Sequence, residues 1–358
     1  MPGSEAGLRR YTNLILLFLV LAAGCARREA EAEAEVLTLS GTTMGTVYQI
    51  RVVARAADLV PIRQEIARVL ERVNRQMSVF DPQSELSVFN RERRTDVWVP
   101  VSTDTARVVA DAQAISPLTG GAYDVTLGPL IRLWGFGPDG PRGEPPSRQE
   151  IISCLERVGW KRLQVRFHPP ALLKQHPELE LNLSSVAKGF GVDAVAISLE
   201  RRGVVHYVVE IGGEIRARGH HPAGRPWRIG IARPVPGVER VYRVVTAGRL
   251  SMATSGDYQN FFTSGSRIYS HTLDPATGMP VAHPHASVTV LHERCAIADA
   301  WATALSVLPA LQARETVQRE QLAVLILERT AEGEITSWES PAFRVRLQES
   351  LAREGEGA

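Results

Sequence analysis

A chain of 358 residues, 44% of them hydrophobic, can bury a sizeable core and is not a disordered protein. A formal net charge of +2 supplies no strong basic field, which excludes nucleic acid as the main partner. The positive charge is almost all arginine, and the only lysines are Lys161, Lys174 and Lys188.

The chain opens on a targeting segment. Arg9 and Arg10 form a basic region, and Leu14–Ala23 is an apolar run too short to span a bilayer comfortably. Gly24-Cys25 follows directly, resembling the lipobox of bacterial lipoproteins. Cys25 would then be the lipidated N-terminus after removal of residues 1–24, on the periplasmic side of the membrane. A plain secretory signal is the alternative. "REAEAEAEV" (Arg28–Val36) alternates Glu and Ala without an apolar face, and residues 25–40 read as anchor and solvated tether. Cys154 and Cys295 are not in a CxxC pair, and spacing does not say whether they bridge.

From residue 41 to 345 strand and helix signals mix without repeats. Thr46–Ala54 alternates and is rich in β-branched residues, predicting a strand. Val60–Met77 carries Ile62, Ile66, Val69, Leu70 and Val73 at helical spacing. A second helix starts near Ser102 and ends around Pro117 and Gly120. "GFGPDGPRGEPP" (Gly135–Pro146) predicts a surface loop. A third helix runs from Ser184 or Ser185, as its cap, to Gly203; two strands then flank Gly212-Gly213. "WRIGIARP" and "ASVTVLH" predict strands, "CAIADAWATALSVL" a buried helix, and "LAVLILER" with "ITSWES" a closing hairpin. Residues 346–358 read as a frayed tail. Strands follow strands and helices come irregularly, so the fold class is α+β, a single domain with a largely antiparallel sheet flanked by helices.

Several segments carry chemistry. On a helix, Asp299 and Thr303 share a face, a hard-oxygen pair suited to Mg²⁺, although such a pair alone is more often a buried hydrogen-bonded one. "LNLSSVAKGFG" sets Asn182, Ser184, Ser185 and Lys188 where a helix begins, a place for phosphate oxygens or simply a capped helix. "SHTLDPATGMP" (Ser270–Pro280) combines turn chemistry with His271, and Asp274 is assigned to the turn.

Taken in order, "GTTMGT", "MSVFDPQSELSVFN", "GGAYDVTLGPLIRLWGFG", "LNLSSVAKGFGVDAVA", "VVEIGGEIRARG", "ATSGDY", "SHTLDPATGMP" and "ADAWATAL" resemble the ApbE family, the FAD:protein FMN transferases, from about Gly41 to Leu308. The resemblance implies transfer of FMN from FAD to a threonine hydroxyl of a target protein, with Mg²⁺ and release of AMP. Implied targets resemble membrane redox-complex subunits, NqrC- and RnfG-like, of the sodium-pumping quinone reductase and the Rnf complex. It places Met44, Phe80, Ala122, Tyr123, Asp124, Asn182, Lys188 and Leu273 at FAD. It places Asp299, Thr303 and the Ser185 carbonyl at the metal. Asn182 replaces the Asp of many members, and Ala302 stands where some supply a second carboxylate. Lys188 is expected to stabilise the departing phosphate, and His271 to take the acceptor proton. The rivals are an FAD pyrophosphatase, with water as acceptor, and a lipoprotein that binds FAD without turnover.

Overall fold

The computed structural model describes residues 34–235, 240–256, 261–264, 267–281 and 285–355. Cys25, the leader and Asp257 lie outside them.

Eight strands form one sheet: β1 (Glu35–Thr43), β2 (Thr46–Ala54), β3 (Tyr207–Ile211), β4 (Glu214–Arg218), β5 (Arg249–Gly256), β6 (His285–His292), β7 (Ala323–Arg329) and β8 (Ile335–Glu339). Their order across the sheet is their order along the chain, and every neighbouring pair is antiparallel. Apart from a C-terminal helix after β8, the remaining elements are excursions between consecutive strands, the longest being residues 55–206 between β2 and β3.

Four helices cover one face: α1 (Leu59–Met77), α2 (Thr103–Leu118), α3 (Ser184–Arg201) and α4 (Cys295–Val307). Their apolar residues share cores with inward positions of the sheet, such as Ile50, Val209, Val288 and Ile326. Side chains alternate along a strand, so Leu325 and Leu327 point the other way. There they pack against a hairpin (Trp227–Ala232 with Val241–Ala247) and against Phe343 of a C-terminal helix. Covered on both faces, β6 and β7 are buried almost throughout, which explains the unbroken hydrophobic run Ala323–Leu327 of β7. A three-stranded sheet (Val99–Pro100, Leu163–Phe167, Pro170–Lys174) lies within the long excursion. The Gly135–Pro146 segment is an irregular loop, as expected.

α3 and α4 cross closely. At Gly189 an added Cβ would lie 2.5 Å from the Cys295 carbonyl oxygen, so only glycine lets the backbones meet there. Asp193 secures the crossing: its carboxylate accepts the Ala296 N–H at 3.0 Å, at the start of α4, and holds Arg216 of β4 at 2.8 Å.

Four expectations change. The tether does not reach residue 40: Leu37 and Leu39 are buried in β1, which begins at Glu35. Neither Ser184 nor Ser185 caps α3. Asn182 does that work, its Oδ1 accepting the Ser184 N–H at 2.9 Å and hydroxyl at 2.6 Å. The β7–β8 hairpin does not close the chain, and the segment expected to fray from 346 is helical to Gly355, in a helix that starts at Pro341. That helix is seated by Phe343, which is fully buried. Cys154 and Cys295 are buried free thiols in separate cores.

Candidate active site

The β1–β2 hairpin turns on Met44-Gly45, with φ of 50° and 73°. Two left-handed residues make the turn whose twist suits a hairpin, and Met44 holds a conformation unusual for its type. Its side chain lies over Gly191 of α3, where an added Cβ would come within 2.8 Å of Met44 Cε. Met44 thereby walls one end of a cavity of about 780 Å³. That volume lies within the range of small-molecule sites. Ala122, Tyr123, Asp124, Asn182, Ser185, Lys188, His271, Leu273, Asp299 and Thr303 line the same cavity. Phe80 stands at it with 69% of its surface exposed.

The polar wall is built from α3, α4 and β4. Asp299, 3% exposed, receives the Gly189 N–H on Oδ2 at 3.0 Å. In a regular helix that N–H points to the carbonyl four residues back, here Ser185. A carbonyl oxygen has two lone pairs, so the Ser185 carbonyl can take another partner whether or not it keeps that N–H. Thr303, one turn beyond Asp299, has Oγ1 3.2 Å from Ser255 Oγ of β5. Lys188 Nζ lies 3.0 Å from Glu214 Oε1 and 3.6 Å from Asp299 Oδ1. Burial opposes the Lys188 charge, but Asp299 and Glu214 outweigh it and raise its pKa. Burial likewise pushes the Glu214 carboxyl up, with the ammonium pulling it back.

A second wall holds Tyr123, whose hydroxyl is 3.0 Å from Ser185 Oγ and whose pKa is raised by burial. Asp124 is committed to structure. It accepts from Thr126 N–H and hydroxyl and from Trp160 N–H, and burial raises its pKa. The loop at 270–280 forms the third side. Asp274 accepts the Ala276 N–H and the Thr277 hydroxyl, both at 2.9 Å, fixing the turn. Gly278, at φ 68°, leaves no room for a Cβ beside Ile151, and its carbonyl accepts the Trp134 indole N–H at 2.8 Å. Leu273 seats the loop, and the Phe136 ring lies edge-on to His271, 6.4 Å between centroids.

The donor set suits a hard cation. It offers the Asp299 carboxylate, the Thr303 hydroxyl and the Ser185 carbonyl, all oxygen, from residues that line the cavity. Among the described residues no cluster of three or more His, Cys, Asp or Glu is placed to hold a metal. Ala302 is fully buried in the core and does not line the cavity. Sequence reasoning missed Glu214. Its signal was an acidic residue at an inward position of a strand, beside the Gly-Gly turn.

The sequence profile of the ApbE family matches residues 44–326. The FAD:protein FMN transferase of Vibrio cholerae is 41% identical over 320 residues, 89% of this chain and 93% of the relative. That of Haemophilus influenzae is 37% identical over 338 residues, 93% and 97% of the two chains. The solved flavin transferase ApbE of Vibrio cholerae superposes with a TM-score of 0.80 at 40% identity, over 87% of this chain and 99% of that one. The ApbE protein of Thermotoga maritima gives 0.77 at 29% identity, over 87% and 99%. With cavity, fold and near full-length similarity in agreement, the chain belongs to the ApbE family.

Proposed function

We propose that the protein is a Mg²⁺-dependent FAD:protein FMN transferase that places FMN on a threonine hydroxyl of a target protein and releases AMP. The observation that carries this reading is the meeting of Lys188, Asp299 and Thr303 on one wall of a ligand-sized cavity. Similarity to relatives named for this activity, over nearly the whole chain, supports it.

Phosphoryl-type transfer asks a protein mainly for positioning and charge neutralisation. The FAD pyrophosphate belongs at Lys188 and the start of α3, with the flavin toward Met44 and Phe80. Asp299, Thr303 and the Ser185 carbonyl would hold Mg²⁺, which supplies neutralisation of pyrophosphate charge. The threonine oxygen bonds to the phosphorus of the FMN half, and the bond from that phosphorus to the bridging oxygen breaks. AMP leaves with the bridging oxygen, and the threonine proton passes to His271. Lys188 stabilises the charge left on the AMP phosphate.

The test is to mix protein, FAD and Mg²⁺ with and without a target domain, then assay AMP and flavin fluorescence on the denatured target. Target-dependent AMP with covalent flavin is the expected result. Equal AMP in both arms identifies an FAD pyrophosphatase, and no AMP in either identifies a binding protein. Targets are subunits of membrane redox complexes of the sodium-pumping quinone reductase and Rnf kind. The enzyme reaches them as a periplasmic lipoprotein held through Cys25. Cys25→Ser should release it from membranes with transfer intact, and membrane retention of the variant would refute the anchor.

A further inference from the structure

Glu214 is a buried carboxylate, 2% exposed, on the cavity wall. One oxygen, Oε1, faces Lys188 Nζ at 3.0 Å, and the other, Oε2, is buried with no hydrogen-bond partner. Its position on β4, opposite Ile211 across the Gly212-Gly213 turn, fixes where that charge stands. The same ammonium is 3.6 Å from Asp299 Oδ1, the oxygen left over after Oδ2 has taken the Gly189 N–H. A cation arriving at Asp299 must therefore compete with Lys188. Glu214 draws the ammonium to the shorter contact and keeps it from closing on Asp299.

We infer that Glu214 is a positioning residue: by holding Lys188, it leaves the Asp299 oxygen open to a divalent cation. This rests on the reading of Asp299 as a cation ligand. Partners just outside a metal site act in this way, and losing one commonly costs about 10–100-fold in metal affinity.

The probe is Mn²⁺ alone, its binding to the full chain read from loss of the free-ion electron paramagnetic resonance signal. Glu214→Gln should weaken Mn²⁺ binding by about 10–100-fold. Lys188→Met should tighten it, because the competing ammonium is gone. In the Lys188→Met background, Glu214→Gln should cost much less than in the wild type, since only its direct charge effect remains. An equal loss in both backgrounds, or none in the wild type, overturns the inference while leaving the cation site standing. Weaker binding by Lys188→Met also overturns it. If the wild type takes up no Mn²⁺, the cation reading itself fails. Should Glu214→Gln not fold, Glu214→Asp keeps the charge and should retain most of the affinity, and a loss as large as 100-fold there refutes the role.

Discussion

Two lysines are drawn inside this fold, in regions that treat them oppositely. Lys174, in the small three-stranded sheet, is 1% exposed. It donates to the carbonyls of Asn90 at 3.2 Å and Leu179 at 2.8 Å, and lies 4.9 Å from the Phe89 ring centre. Carbonyl dipoles fix its geometry without cancelling its charge, and burial pushes its pKa down to about 8. Lys188 stands between two carboxylates with 28% of its side chain exposed, and its pKa goes up. Burial alone does not make a lysine chemical. A charge kept by fixed counter-charges, and facing a cavity, does.

The comparison is sharpest where the counter-charge is removed. Asp299→Ala should lower single-turnover flavin transfer at saturating FAD by about 10³-fold, with excess Mg²⁺ restoring little. Wild-type transfer by this variant would remove Asp299 from the site.

Next come the lysines themselves. Lys188→Met should cut turnover per folded molecule about 10²-fold and lower the melting temperature as well, since it strands two buried carboxylates. Lys174→Met should leave turnover per folded molecule unchanged. If both variants lose turnover alike, the distinction collapses.

A titration separates them further. The folded pKa of Lys174, about 8, lies below the ordinary value of about 10.4, so between these limits the unfolded chain binds more protons. Stability therefore rises with pH across that window, and the contribution is lost as pH falls through about 8. Relative to Lys174→Met, the wild type should gain up to roughly 3 kcal/mol between pH 8 and 10.4, measured by urea unfolding. A flat difference would show that Lys174 keeps its charge.

The smallest effect belongs where the two regions meet. Asn90 bonds both backbone groups of Leu181, next to Asn182 at the start of α3. Asn182→Asp keeps both acceptor contacts to Ser184 and adds a negative charge. It should weaken metal-free FAD binding by about 1 kcal/mol without altering stability. Titration of flavin fluorescence would measure it.

Much of this was readable from the residues. Periodicity placed β2 and α1, a cap and a Pro/Gly stop placed α2, and the Gly212-Gly213 turn placed β3 and β4. The motifs from GTTMGT to ADAWATAL converge on one cavity, so every expected site residue within the described chain lines it. Weaker signals were overruled by neighbours. Leu37 and Leu39 alternate with Thr38 and Ser40 as a strand should, but follow directly on a Glu/Ala run. Ser340 accepts the Phe343 N–H ahead of Pro341, a helix start spelled Ser-Pro that reads as the end of a hairpin. Glu214 escaped because the meaning of an inward carboxylate depends on what stands opposite, and Lys188 reaches it from a distant helix.

The early start of β1 sets a length scale for the whole molecule. If Cys25 is the lipid-bearing residue, ten peptide steps separate it from Glu35, and a chain spans at most about 3.5 Å per residue. The leash is then about 35 Å when taut, and β1 carries the chain roughly 30 Å further to the Met44 turn. On that anchor the Met44 end of the cavity cannot stand beyond about 65 Å from the bilayer surface. Were the protein an anchored flavin transferase, an acceptor would have to present itself inside that shell, so the choice of target would be restricted by reach before any side chain is read.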